Sequence, residues 1–133
     1  MAFLSEKFNI NSFGFIDVID IKPKLVRIIS SANIKNGLIN IHSISKTSSI
    51  FVGKSEDFYK INDILEETIK SNNKNINADF YKLILKFKSN FFKNNATLPI
   101  ENSKILIDND ESIYFVDFEN ERKTKEIIVS ITY

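Results

Sequence analysis

Apolar residues recur along this chain at two spacings, every second position in some stretches and every third or fourth in others. The first spacing marks half-buried strands and the second marks amphipathic helices. Ala2 to Ile10 alternates loosely, with Phe3, Phe8 and Ile10 as its larger apolar members, and predicts a strand. Asn11, Ser12 and Gly14 supply turn chemistry, and Phe15 to Ile19 predicts a second short strand. Leu25, Ile28, Ile29 and Ala32 recur at helical spacing, which predicts a helix from about Ile21 to Asn33. Asp20 is its expected N-cap, and Pro23 falls in the first turn, where a missing N–H costs little. Asn36-Gly37 ends the unit where a positive φ is expected.

Gly37 to Gly53 reads as two consecutive strands. Ile39 and Ile41 share a parity with Ser43, Ser45 and Thr47, while Asn40 and His42 take the other. On an unbroken strand His42 therefore points away from Ser45. Ser55, Glu56 and Asp57 predict a helix start, with a capping hydroxyl and two carboxylates at the positive end of the dipole. Phe58, Ile61, Ile64, Leu65 and Ile69 form that helix's apolar stripe, to about Ser71. From Asn77 to about Phe92, a stripe of Phe80, Leu83, Ile84, Phe87 and Phe91 predicts a third helix, with Lys82, Lys86, Lys88 and Lys93 as its solvated face. Strands are then expected at Thr97–Ile100, Lys104–Ile107, Ile113–Phe118 and Glu126–Thr132. Pro99 implies an edge or a bulge, and Ile113–Phe118, apolar at both parities, is expected at the centre of its sheet. The order ββαββααββββ predicts one α+β domain, mostly antiparallel, with about three helices.

Composition narrows the function classes. At 133 residues, 43% hydrophobic and 26% charged, the chain can bury a core without metal or disulfide staples. Twelve Phe and no Trp make phenylalanine the main source of large core volume. A net charge of +1 offers no basic excess for a dedicated nucleic-acid binder. The absence of cysteine excludes thiolate nucleophiles and cysteine-ligated metals. No apolar run is long enough for a membrane span, and the N-terminus lacks the pattern of a secretory signal, so a cytoplasmic protein is expected.

Candidate chemistry is sparse. His42 is the only histidine and has no evident orienting partner, so it reads as a surface or structural residue. Asp108-Asn109-Asp110-Glu111 lacks the ligand spacing of a calcium loop and reads as a solvated hairpin turn. Ser43, Ser45, Thr47, Ser48 and Ser49, with Lys46, could meet a phosphate, but without a glycine-rich loop they read as strand surface. Three glycines leave no phosphate-binding loop, dinucleotide fingerprint or nucleophile elbow.

Four segments resemble the YjbQ family, proteins described as secondary thiamine-phosphate synthases. They are Gly14–Asp20 with Lys35–Leu38, the segment Ser48–Asp57, Thr97–Asn102, and Ile113–Phe118 followed by Arg122. The third is similar to the family's TIPVENG and the fourth to its GIYFxEFDGPR. The resemblance implies a YjbQ-like fold and a homotrimer. It also implies a site built from a Pro-His-Thr-Thr-Ala motif and a later motif with asparagine, aspartate and histidine. Counted from Gly37, the first motif falls on Ile44, Ser45, Lys46, Thr47 and Ser48, with Ser45 at the histidine and only Thr47 matching. The second falls near Tyr81 to Lys88, with Lys82, Ile84 and Lys86 at the asparagine, aspartate and histidine and only Lys88 matching. The Trp-Gln-Gly before the Tyr-Phe strand falls on Asp110, Glu111 and Ser112. The candidate pocket is therefore Ser45, Thr47, Ser48, Lys86, Lys88, Glu111 and Arg122, with no metal and no cofactor expected.

Serine is no base at neutral pH, and an unperturbed lysine is protonated there. The expected function is thus an oligomeric binding or structural module without the family's catalysis. The alternative is an active thiamine-phosphate synthase. A small anionic ligand and an active paralogue are the other partners considered.

Overall fold

The computed structural model describes residues 1–12, 16–72, 77–119 and 123–133. Among them the chain forms β1 (Phe3–Ser12), β2 (Asp17–Asp20), α1 (Lys22–Ser31), β3 (Gly37–Ser43), β4 (Ser48–Gly53) and α2 (Ser55–Asn72). It continues with α3 (Ala78–Phe92), β5 (Asn95–Glu101), β6 (Lys104–Ile105), β7 (Ser112–Asp117) and β8 (Lys123–Thr132). The order is the ββαββααββββ expected. All pairing is antiparallel, in a five-stranded sheet β1-β8-β3-β5-β6 and a three-stranded sheet β2-β7-β4.

Side-chain parity dictates how the sheets stack. Ile39 and Ile41 of β3 lie opposite Ile131 and Val129 of β8, and all four are buried. They meet Ile113 and Phe115 of β7 and Ile50 of β4 in one core, which Leu25, Ile28 and Ile29 of α1 complete. Beyond β7, Val116 joins Phe118, just past the strand, in a second core with Phe58, Leu85 and Phe92 of α2 and α3. The rings of Phe58, Phe92 and Phe118 lie 4.8 to 6.1 Å apart between centroids. The layers are therefore five-stranded sheet, three-stranded sheet, helix pair. β7 is central and buried on both faces, as its double-sided apolar pattern requires.

Several boundaries differ from expectation. Ile21, not Asp20, precedes α1, because Asp20 is held at the end of β2; its carboxylate accepts from Lys22 N at 3.0 Å and from Ser112 Oγ at 2.7 Å. The positive φ after α1 falls on Asn33, at 52°. Gly37 instead opens β3, where an added Cβ would stand 2.3 Å from the carbonyl oxygen of Thr132. Close approach of two strands, not a turn, requires glycine there. Asn102 and Ser103, at φ 52° and 64°, make the two-residue turn between β5 and β6.

β6 ends at Ile105, so residues 106–111 cross from one sheet to the other and Asp108–Glu111 is not a hairpin turn. Asp110 of that crossover is ion-paired to Lys54 at 2.8 Å. Pro99 sits in β5 beside the two-residue β6; its carbonyl accepts from Leu106 N at 3.0 Å, so its nitrogen also faces away from β3.

The largest difference concerns α3. Its buried face is Leu85, Lys88, Ser89 and Phe92, while Leu83, Phe87 and Phe91 are 60%, 51% and 52% exposed. Polar clamps fix this rotation. Ser89 Oγ donates to the Ser48 carbonyl at 2.6 Å, and Ser49 Oγ donates to the Ser89 carbonyl at 2.9 Å. Lys88 turns inward to Glu66 of α2 at 2.6 Å, with its ammonium 5.9 Å from the centre of the Phe118 ring. Lys88 is thus not part of a solvated face; Lys82, Lys86 and Lys93 are exposed.

Candidate functional site

The space between the sheets is apolar along most of its length and turns polar at one end. The inward row of β3 runs Ile39, Ile41, Ser43; that of β8 runs Ile131, Val129, Ile127, Lys125; that of β7 ends on Asp117. All of these are buried, and the register sets Ser48 opposite Asp117 and Ser43 opposite Ile127. The Ser43 and Ser48 hydroxyls bond to each other. Between them, residues 44–47 form a turn and not a continued strand. That turn carries the Ser45 and Thr47 side chains into the polar end.

Glu119 is the centre of the cluster. Its Oε1 accepts from Thr47 Oγ1 at 2.6 Å and from Lys125 Nζ at 2.9 Å, and its Oε2 from Lys123 Nζ at 3.0 Å. Lys125 also donates to Ser45 Oγ at 3.2 Å and Thr47 Oγ1 at 3.5 Å. Ser45 Oγ lies 3.1 Å from Thr47 Oγ1 and accepts from Thr47 N at 3.2 Å. Since Thr47 gives its proton to the carboxylate, Ser45 gives its own to Thr47, and the chain of hydroxyls ends on Glu119. Burial would raise the Glu119 carboxyl's pKa, but the bonds from Thr47, Lys125 and Lys123 outweigh it and hold the group at about 2. A carboxylate so held is a poor proton acceptor at neutral pH, so it does not activate Ser45 as a nucleophile.

Beside this cluster, Ile44, Ser45, Lys46, Lys86, Ser89, Asn90 and Asn94 line a cleft of about 260 Å³ between the 44–47 turn and α3. Two lysines, two amides and two hydroxyls face it, without a carboxylate among its lining residues.

The sequence-predicted residues divide accordingly. Ser45, Thr47 and Ser48 gather at the polar end, and Lys86 joins Ser45 across the cleft. Lys88 lies on the far side of α3, paired with Glu66. Glu111 precedes the opposite end of β7, about 17 Å along the strand from Asp117; there its carboxylate accepts from Asp108 N at 3.2 Å. Arg122, like Gly14 and Phe15, lies outside the described residues. His42 projects from the outer face of the five-stranded sheet, opposite in direction to Ser43. Among the described residues no group of three His, Asp or Glu is placed to hold a metal ion. Sequence reasoning missed Glu119 and Lys125. The available signal was Lys125's place on the parity of Ile127, Val129 and Ile131, where a cation must be paired.

The same architecture recurs in known proteins. A crystal structure of a YjbQ/UPF0047-family protein from Clostridium acetobutylicum superimposes with a TM-score of 0.82 at 15% identity, covering 96% of this chain and 99% of that one. A YjbQ-like protein of Sulfolobus solfataricus gives a TM-score of 0.74 at 20% identity, over 98% of both chains. In sequence, a UPF0047 protein of Methanothermobacter thermautotrophicus is 26% identical over 124 residues, 87% of this chain and 82% of that protein. The family model described as UPF0047 protein YjbQ-like matches residues 6–133. Nearly the whole chain is matched in order, and it belongs to the YjbQ family.

Proposed function

We propose that this protein is a YjbQ-family member without the family's catalytic chemistry, working as an oligomeric module that binds a small anion in the cleft beside α3. The observation that carries this reading is the cleft's lining. Lys46 and Lys86 face it with no carboxylate partner among the described residues, and Asn90 and Asn94 add hydrogen-bond donors. A phosphate-sized anion there would gain charge-assisted bonds without displacing an existing ion pair. Proton transfer has no comparable support: the Glu119 carboxylate, which ends the hydroxyl chain from Ser45, is already held by two lysines and a threonine.

The homotrimer implied by the family resemblance would use the outer face of the five-stranded sheet. Phe3 and Leu38 are 67% and 52% exposed on that face. No described helix is long and apolar enough to cross a membrane, and a cytoplasmic location is part of the proposal. Complementation of a thiamine auxotroph tests the absence of catalysis. Growth at the vector-control level is expected, and growth above it overturns the reading in favour of an active thiamine-phosphate synthase.

A further inference from the structure

One buried oxygen between the sheets has no donor. Asp117 is fully buried, and its Oδ1 accepts from Glu119 N at 3.0 Å. Its Oδ2 is as deeply buried and accepts a hydrogen bond from no described residue. A buried acceptor without a donor is costly, and more so when it carries charge.

The protons nearest to it are committed elsewhere. Ser48 stands directly opposite Asp117 in the β4–β7 register. The bond from Phe118 N to the Thr47 carbonyl, 3.0 Å long, makes Ser48 and Asp117 a non-hydrogen-bonded pair, the kind whose side chains approach most closely. Ser48 nevertheless gives its single hydroxyl proton to the Ser45 carbonyl at 3.3 Å, so Ser43 gives its own to Ser48 Oγ. Lys125 directs its ammonium at Glu119, Ser45 and Thr47. On the other flank β2 supplies not a donor but a second carboxylate. Asp17 is the register partner of Asp117 and shares the side of β2 that Ile19 turns to the core. Like charges opposite one another on adjacent strands repel.

Charge and ligand type say what completes this end. Among the described residues three carboxylates, Asp17, Asp117 and Glu119, meet two ammonium groups, Lys123 and Lys125, which leaves one negative charge in excess. The buried Ser43 and Ser48 oxygens keep lone pairs that no bond uses. All of these are hard oxygen ligands. A divalent ion draws on more carboxylates and would overshoot the charge, whereas an alkali cation balances it and is small enough for a buried oxygen.

We propose that the polar end binds one alkali cation at Asp117 Oδ2, with the Ser43 and Ser48 hydroxyl oxygens as further ligands. The site faces the space between the sheets and not α3, and it does not depend on the anion cleft. Thermal unfolding at constant ionic strength, in sodium, potassium or choline chloride, tests it. Choline is too large to enter and reports the general effect of salt. In at least one alkali salt the wild type is expected to melt above its choline value, by roughly 4 °C once the cation exceeds its dissociation constant about tenfold. Asp117→Asn keeps the shape and removes the charge, and is expected to melt at one temperature in all three salts. Ser48→Ala is expected to need several-fold more cation for half of the rise. In crystals soaked with thallous nitrate, a heavy monovalent substitute, anomalous density is expected against Asp117 Oδ2. Wild-type melting temperatures that agree in all three salts would overturn the proposal, whether or not the variants fold. So would an Asp117→Asn protein that keeps the cation dependence, or crystals in which Asp117 Oδ2 meets only water.

Discussion

Replacing Glu119 by glutamine removes one charge and almost no volume, which isolates what that carboxylate does for the polar end of the sandwich. The wild-type group is held at about 2 instead of 4.5 by Thr47, Lys125 and Lys123, against the opposing effect of its own burial. That difference corresponds to roughly 3 kcal/mol of stability at neutral pH. The folded state prefers the ionised form, so this contribution is complete above pH 4.5 and is lost as pH falls from there through about 2. Glu119→Gln loses it at every pH and leaves the buried Lys125 ammonium, 8% exposed, without its counter-charge. Urea unfolding at pH 7 is expected to show a loss of roughly 3 kcal/mol, with a melting temperature lower by roughly 10 °C. Between pH 4.5 and 2 the wild type should lose its advantage and the two proteins converge. Glu119→Gln/Lys125→Met, which removes both charges, should recover most of the loss. A single variant within about 1 kcal/mol of wild type at pH 7, or a gap that persists unchanged at pH 2, would refute the reasoning.

Other substitutions separate the remaining contributions. Lys88→Met fills the same space between α3 and Phe118 with an apolar chain and should stay within about 1 kcal/mol of wild type in urea unfolding. Glu66→Ala leaves Lys88 buried and unpaired and should cost about 3 kcal/mol or more. Gly37→Ala places a methyl group against the Thr132 carbonyl and should destabilise the β3–β8 pairing by at least about 2 kcal/mol, with hydrogen exchange accelerated in both strands. Asn77→Ala removes the side-chain bond to Phe80 N, 2.8 Å long, and should cost about 1 kcal/mol, read as earlier thermal loss of helical signal.

Much of the fold was legible because parity and helical spacing are local. The two-sided apolar run at Ile113–Phe118 identified the central strand, and the helical spacing from Asn77 to about Phe92 identified α3. Spacing alone did not reveal which flank of α3 meets the sheet. Its apolar row and its buried row both recur at helical steps, and serine and lysine bonds to β4 and Glu66 decide between them. The 44–47 turn was hidden because Ser45 and Thr47 continue the alternation of Ile39 and Ile41. His42 does point away from Ser45, but the turn, and not an unbroken strand, separates them. Glu119 and Lys125 join Ser45 from some 75 to 80 positions away, and only the stacking of two sheets brings them there.

The proposed role of the cleft is binding and not proton transfer. Its most direct test is calorimetric titration with inorganic phosphate and pyrophosphate of the wild type, Lys46→Ala and Lys86→Ala. Saturable binding by the wild type, weakened at least about tenfold in each variant, is the predicted result. A wild type that binds neither anion, or variants that bind as tightly as the wild type, would contradict it.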